Sequence, residues 1–285
     1  MEKKVQQYFS GERSLFKQHD LKIIDSVFAD GESPLKESSN IFLENTSFQW
    51  KYPLWYSHHI NLKQCMLLET ARSGIWYTDH ITLSDCLVEA PKTFRRSSHI
   101  KLNHVRFPNA SETLWNCSWI EADDITAKGD YFAMNSQNIL IRHFELSGNY
   151  CFDGAKNVEI HHAKLLSKDA FWNCENVTVY DSYIIGEYLG WNSKNVTFVN
   201  CTIESLQGLC YMEQVTLKNC KLIRTTQAFE YSNVDAVVCG SIDSILNPIS
   251  GKIVCDHIDS VILDDPTVDK EKTIIEVNDV EVPIR

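Results

Sequence analysis

Asn157-Val158-Glu159-Ile160, Asn176-Val177-Thr178-Val179 and Asn195-Val196-Thr197-Phe198 carry the same four-residue phrase at intervals of 19 residues. With the β-branched or Leu residue after the Asn or its substitute taken as a marker, the phrase extends in both directions. Markers fall at Leu21, Ile41, Ile60, Ile81, Ile100, Ile120, Ile139, Val158, Val177, Val196, Val215, Val234 and Ile253. The gaps are 20, 19, 21, 19, 20 and then 19 seven times. A near-constant period in this range is the signature of a solenoid, in which one repeat buries its apolar face only against the next.

The positions around the marker sort into columns. Two residues after it stand Ile23, Leu43, Leu62, Leu83, Leu102, Ile141, Ile160, Val179, Phe198 and Leu217, with polar residues between, which is the alternation of a strand with one buried face. Five after it stand Cys65, Cys86, Val105, Ile125, Phe144, Ala163, Ser182, Cys201, Cys220 and Cys239. Seven after it and six before it lie further apolar files, including Phe28, Phe48 and Leu67, and Leu54, Ile75 and Phe94. All are expected to point inward. Gly and small residues recur ten before the marker, and Asp20, Asn40, Asn138, Asn157, Asn176, Asn195 and Asn233 stand directly before it. Both classes tolerate the left-handed backbone of a tight corner, and Asn amides stack from coil to coil.

These columns predict an all-β, single-stranded parallel β-helix with about 19 residues per coil and about 13 coils, a rod of roughly 60 Å. Helix-pair solenoids repeat at roughly 33–47 residues and avoid β-branched runs. Parallel crossovers are overwhelmingly right-handed, which favours that hand; a left-handed helix of hexapeptides would repeat at about 18 and stays open. No Pro- or Gly-rich linker divides the chain, so 1–285 reads as one domain, with caps at 1–19 and 255–285 and coils over 20–254. Asp264-Asp265-Pro266-Thr267-Val268-Asp269-Lys270 breaks the register, and Thr273-Ile274-Ile275-Glu276-Val277 reads as one more strand.

Composition narrows the function classes. With 285 residues, 44% hydrophobic and 23% charged, the chain is globular rather than disordered. A formal charge of −11 opposes a nucleic-acid partner, because the phosphate backbone is repelled. No run approaches the ~20 apolar residues of a membrane span. The opening Met1-Glu2-Lys3-Lys4-Val5-Gln6-Gln7-Tyr8 has no apolar core of a signal peptide, and ten cysteines show no Cys-x-x-Cys, so a reducing cytoplasm is expected.

The segments Gly11-Glu12-Arg13-Ser14-Leu15-Phe16, Gly31-Glu32-Ser33-Pro34-Leu35-Lys36-Glu37 and Lys51-Tyr52-Pro53-Leu54-Trp55-Tyr56 resemble an uncharacterised, mainly bacterial family of the pectin-lyase-like superfamily of right-handed β-helices. The resemblance spans nearly the whole chain and implies the fold. Better-known relatives degrade or bind acidic polysaccharides, but neither an aspartate cluster of the calcium-dependent lyases nor a paired-Asp galacturonidase motif is found here. Fold alone is weak evidence of function.

The residue five before each marker should face solvent. It reads Phe16, Lys36, Trp55, Trp76, Arg95, Trp115, Met134, Asp153, Trp172, Trp191, Cys210 and Phe229. The next position gives Tyr56, Tyr77, Arg96, Asn116, Asn135, Asn173 and Asn192, and the position eight before gives Tyr52, Tyr131, Tyr150, Asp169 and Tyr188. Flat aromatics with interleaved Asn, Arg and Asp suit a carbohydrate-like ligand, whose rings have apolar faces edged by hydroxyls. The competing readings are a protein interface or homo-oligomer through the same face, and corner aromatics with a purely structural role.

Chemistry on such a ligand needs a carboxylate. Asp153 and Asp169 fall in adjacent coils, ~5 Å apart, where two carboxyls can split their pKa values into an acid and a base, as hydrolase or lyase action requires; solvated surface acids are the plainer reading. Arg95 and Arg96, roughly 14 Å away, suit an anionic group. Glu12, Glu32, Lys51 and Arg72 read as an ion-pair ladder. His59, His80 and His99 occupy one column, but imidazoles in line at ~5 Å do not close a zinc tetrahedron, so a corner ladder is expected and no metal or cofactor. His104, His143 and His162 read the same way. The cysteine column reads as an interior stack of free thiols.

Overall fold

The computed structural model describes residues 1–278, and the chain forms a parallel β-solenoid of about 15 turns with about 19 residues per turn. Helix among the described residues is confined to two three-residue turns, Glu69–Ala71 and Lys270–Lys272. Two compact units divide it, Met1–Leu146 and Ser147–Arg285.

In the first unit, Glu2–Val5, His19–Ile24, Ser39–Glu44, His58–Lys63, Asp79–Val88, Ser98–Phe107 and Ser118–Lys128 pair in parallel, each with the next. The register is the one read from sequence: Leu21 lies against Ile41, Ile41 against Ile60, Ile81 against Ile100 and Ile100 against Ile120. The inward columns are buried, and Phe9, Phe28 and Phe48 stack at centroid separations of 4.7 Å. In the second unit, Val158, Val177, Val196, Val215 and Val234 align coil by coil in the same way.

Each coil turns on single residues in the left-handed region. In the coil of Ile60 these are Tyr52, Tyr56, His59 and Gln64, at φ of 62°, 55°, 53° and 52°. In the coil of Val177 they are Asp169, Asn173, Asn176 and Asp181. A non-glycine residue there costs on the order of 1–2 kcal/mol. Side-chain ladders offset that cost: Asn176 donates to Asn157 at 3.1 Å, Asn195 to Asn176 at 2.8 Å, and Asn200 to Asp181 at 3.0 Å. A buried hydroxyl column adds to them. Ser57, Ser97 and Ser232 donate from inside the corner to the carbonyls of Leu35, Ile75 and Leu209, 2.9–3.0 Å away.

The structure departs from the sequence register in four places. Glu2 aligns with Leu21, so a coil already begins within residues 1–19. At the other end Gly251, not Ile253, stands against Val234; Ile253 lies against Ala236, and Thr273 against Gly251. Glu2 and Thr273 add a coil at each end, hence about 15 rather than about 13. Cys239 is exposed, because the register slips between Leu217 and Cys220 and Val238 takes the inward place opposite Cys220. Cys210 and Phe229, expected outside, are 1% and 0% exposed. All ten cysteines are free; Cys65, Cys86, Cys201 and Cys220 of the expected column are buried, as are Cys117, Cys151, Cys174, Cys210 and Cys255, and burial pushes the thiols of Cys117 and Cys151 up to about 12. No described helix is long and apolar enough to cross a membrane.

Candidate functional site

In the first unit the predicted stripe is a continuous stack. Tyr52 leans on Trp55 at 4.5 Å, and Trp55 lies parallel to Trp76 at 5.2 Å and 8°. The Arg95 guanidinium then sits between two indoles, 4.6 Å from Trp76 and 4.7 Å from Trp115, and Trp115 meets Tyr131 edge-on at 6.2 Å. One position further, Tyr56 stacks on Tyr77 at 4.8 Å and Arg96 lies 6.0 Å from the Tyr77 ring. Each indole N–H is tied to a main-chain carbonyl of the following coil: Trp55 to Ser73 at 2.5 Å, Trp76 to Lys92 at 2.9 Å and Trp115 to Tyr131 at 2.8 Å. Stacking therefore occupies the ring faces and the indole N–H groups are bonded, leaving mainly ring edges to solvent. Asn116 and Asn135 are exposed beside this stack.

Cations crowd the same flank. Glu112 Oε2 accepts from both Lys92 and Arg95 at 3.2 Å, and Lys51 binds Glu32 at 2.7 Å. Arg95 Nε is buried without a partner among the described residues. Arg72 lies close enough to Lys51 to repel its charge, and neither Arg72 nor Arg96 meets a carboxylate there. Of the expected ladder of Glu12, Glu32, Lys51 and Arg72, one ion pair forms, Glu32–Lys51; Glu12 accepts from the Glu32 main chain at 3.2 Å, and Arg72 takes no part.

The second unit brings Tyr150, Asp153, Asp169, Trp172, Asn173 and Asn192 together. Tyr150 tilts over Trp172 at 5.6 Å, Asn173 donates to Asp153 at 3.0 Å, and Asn192 donates to Asn173 at 2.7 Å. Asp169 is only 6% exposed, so it sits beneath the surface rather than on it as expected. Burial holds its carboxyl above the usual carboxylate range. The nearby Glu187 and Asp153 push the same way, against Lys168 and a Tyr150 hydrogen bond. Lys168 itself pairs with Glu187 at 2.9 Å.

Here the stack is broken. Trp191 lies flat on Tyr211 at 4.7 Å and meets Tyr188 at a steep angle, but no ring contact joins it to Trp172 among the described residues. Neither the Trp172 nor the Trp191 indole N–H has a partner there, and Trp191 is 37% exposed. The same unit has an open groove of about 330 Å³, lined in part by Lys168, Glu187, Leu206 and Arg224. Sequence columns place none of this groove; its one signal is Leu206, an apolar residue 52% exposed where Lys168 and Glu187 stand in the two preceding coils.

The remaining candidates form corner ladders. His59, His80 and His99 stack at 4.7 and 4.3 Å and end on Trp119, an exposed tryptophan absent from the predicted stripe. His104 pairs with Asp85 and His143 with Asp123, both at 2.8 Å. No group of three or more His, Cys, Asp and Glu among the described residues is placed to hold a metal.

Comparison with known proteins adds the following. The surface adhesin PfbA of Streptococcus pneumoniae superposes with a TM-score of 0.35 at 9% identity, over 85% of this chain and 70% of the adhesin. A mutant tailspike protein of E. coli bacteriophage HK620, solved with a pentasaccharide, gives 0.31 at 10%, over 96% and 63%. The plasmid-mediated fluoroquinolone resistance protein QnrB1 gives 0.28 at 16%, over 78% and 91%. Likeness at this level carries no argument about activity. None of the curated proteins is similar in sequence. The family model described as a protein of unknown function, DUF3737, matches residues 2–276, and the chain belongs to that family.

Proposed function

We propose that the second unit binds a carbohydrate-like ligand across Trp172 and Trp191. The observation that carries this is the contrast in indole bonding. Trp55, Trp76 and Trp115 have their N–H groups committed to main-chain carbonyls, whereas those of Trp172 and Trp191 are unclaimed among the described residues. A sugar ring needs an uncovered aromatic face for its C–H groups and donors or acceptors for its hydroxyls. The break between Trp172 and Trp191 supplies the first. The two indole N–H groups, Lys168, Glu187 and the Asp153–Asn173–Asn192 ladder supply the second.

Turnover on such a ligand would draw on Asp153 and Asp169. Asp169, whose carboxyl is held high by burial, keeps its proton longer and suits an acid; Asp153, which accepts from Asn173, is the second carboxyl of the pair. Membership of the pectin-lyase-like superfamily belongs to the same proposal and rests on the coil pattern.

A glycan panel read by tryptophan fluorescence tests the reading. Quenching by a glycan should weaken about tenfold or more in Trp172→Ala and Trp191→Ala. A panel with no quenching, or quenching unchanged in both variants, removes the ligand site. For a glycan that is cleaved, Asp153→Asn should lose cleavage by a far larger factor than it loses binding.

A further inference from the structure

We propose that the cationic aromatic band of the first unit docks on the acidic aromatic band of the second unit of another copy of this chain. In the first unit Lys51, Arg72, Lys92, Arg95 and Arg96 stand against Glu32 and Glu112, a surplus of three positive charges in a chain whose total is −11. Arg72 and Arg96 are exposed and meet no carboxylate among the described residues. The corresponding register positions of the second unit carry Asp153, Glu187 and Glu230 against Lys168, with Asp169 beneath them. The two bands are thus of opposite sign and comparable size.

Their composition is that of an interface core. Trp, Tyr and Arg are the residues most enriched where protein contacts carry binding energy, because they bury large area with few rotamers and keep a polar end. In the first unit the stack and the indole hydrogen bonds fix these side chains before any partner arrives, so little further ordering is needed on association. Trp191, Tyr211 and Tyr188 offer the matching aromatic surface on the acidic side. A second copy is the occupant these features favour, since each copy carries both members of the charge pair.

The test is a charge swap read by light scattering in about 0.15 M salt, where overall repulsion between acidic copies is screened within ~8 Å while contact pairs persist. Wild-type protein should associate with rising concentration. Arg72→Glu with Arg96→Glu should be monomeric, as should Asp153→Lys with Glu187→Lys. A one-to-one mixture of the two double variants should associate again, because each now supplies the band the other lost. That rescue also excludes misfolding as the cause of either loss. A wild type that stays monomeric, a double variant that associates as well as wild type, or a mixture without rescue overturns the proposal. No glycan enters the experiment, so its outcome and that of the ligand panel are read separately.

Discussion

The same register positions are used in opposite ways in the two units. In the first, Trp55, Trp76 and Trp115 form a closed ladder, with Arg95 filling the rung that lacks an indole and each N–H bonded. In the second, Trp172 and Trp191 have no ring contact with each other and no bonded N–H among the described residues, and a buried acid lies beneath them. An outward aromatic column is therefore no evidence of a binding face until its ring faces and donors are accounted for. Stacked on its neighbours it has no ring face or indole donor left for a sugar and presents edges and charge alone; interrupted, it keeps both.

Replacing Trp115 by Ala should have the largest effect. It removes a half-buried indole, a hydrogen bond to Tyr131 and one wall of the Arg95 site, and should cost about 3 kcal/mol, seen as faster amide exchange in the first unit. An unchanged exchange pattern would erase the distinction between the bands. Asn176→Ala should cost about 1–2 kcal/mol in the second unit, because it leaves the left-handed corner at φ 57° without its ladder bonds. Trp172→Ala should cost about 1 kcal/mol or less in stability while it weakens ligand quenching about tenfold or more. A loss as large as that of Trp115 would make the second band structural too.

The acids sharpen the comparison by pH. Burial raises Asp79 in the first unit, but hydrogen bonds and charge from His58 and His80 outweigh it and hold its carboxyl below the ordinary value. Its contribution is present above the unfolded value, ~3.9, and is lost as pH falls through the folded one. Asp169 behaves in the opposite sense. Its folded value is raised, so its contribution is present below ~3.9 and lost as pH rises through the folded value. Asp169→Asn should therefore stabilise the second unit at neutral pH and leave acid stability there nearly unchanged, whereas Asp79→Asn should flatten the acid limb of the first. Denaturation midpoints across pH, with exchange to separate the units, check both. Equal pH responses in the two variants would contradict the assignment.

Much of the fold is legible in the sequence because a solenoid repeats its own evidence. Each of the columns at Leu21, Ile23 and Phe28 is sampled about a dozen times, so one polar exception does not hide the rule. What fails is local. Ile253 looks like a marker, yet the coil from Val234 to Gly251 has 17 residues, and an apolar letter two places on mimics the correct one. Cys239 continues a cysteine column until a single missing residue in the corner turns Val238 inward in its place. The depth of Asp169 was not legible, since its register position is filled elsewhere mostly by exposed or half-buried Tyr, Lys and Glu, and the two buried occupants, Ser33 and Ser73, carry no charge. The bonding of the indoles was invisible for a different reason, because the acceptors are main-chain carbonyls and leave no trace in residue identity. The buried hydroxyl column at Ser38, Ser57, Thr78, Ser97 and Ser136 could have been read, for it recurs at the marker's own period.

The corner ladders bear on how such a chain changes over generations. Asn157, Asn176 and Asn195 are joined by amide bonds from one turn to the next, so excision of residues 158–176 joins Asn157 directly to Val177 and leaves the four-letter phrase, and its amide bond to Asn195, intact. Copying slips of one whole repeat are thereby tolerated by the architecture, and the number of turns becomes a heritable quantity adjusted in whole steps.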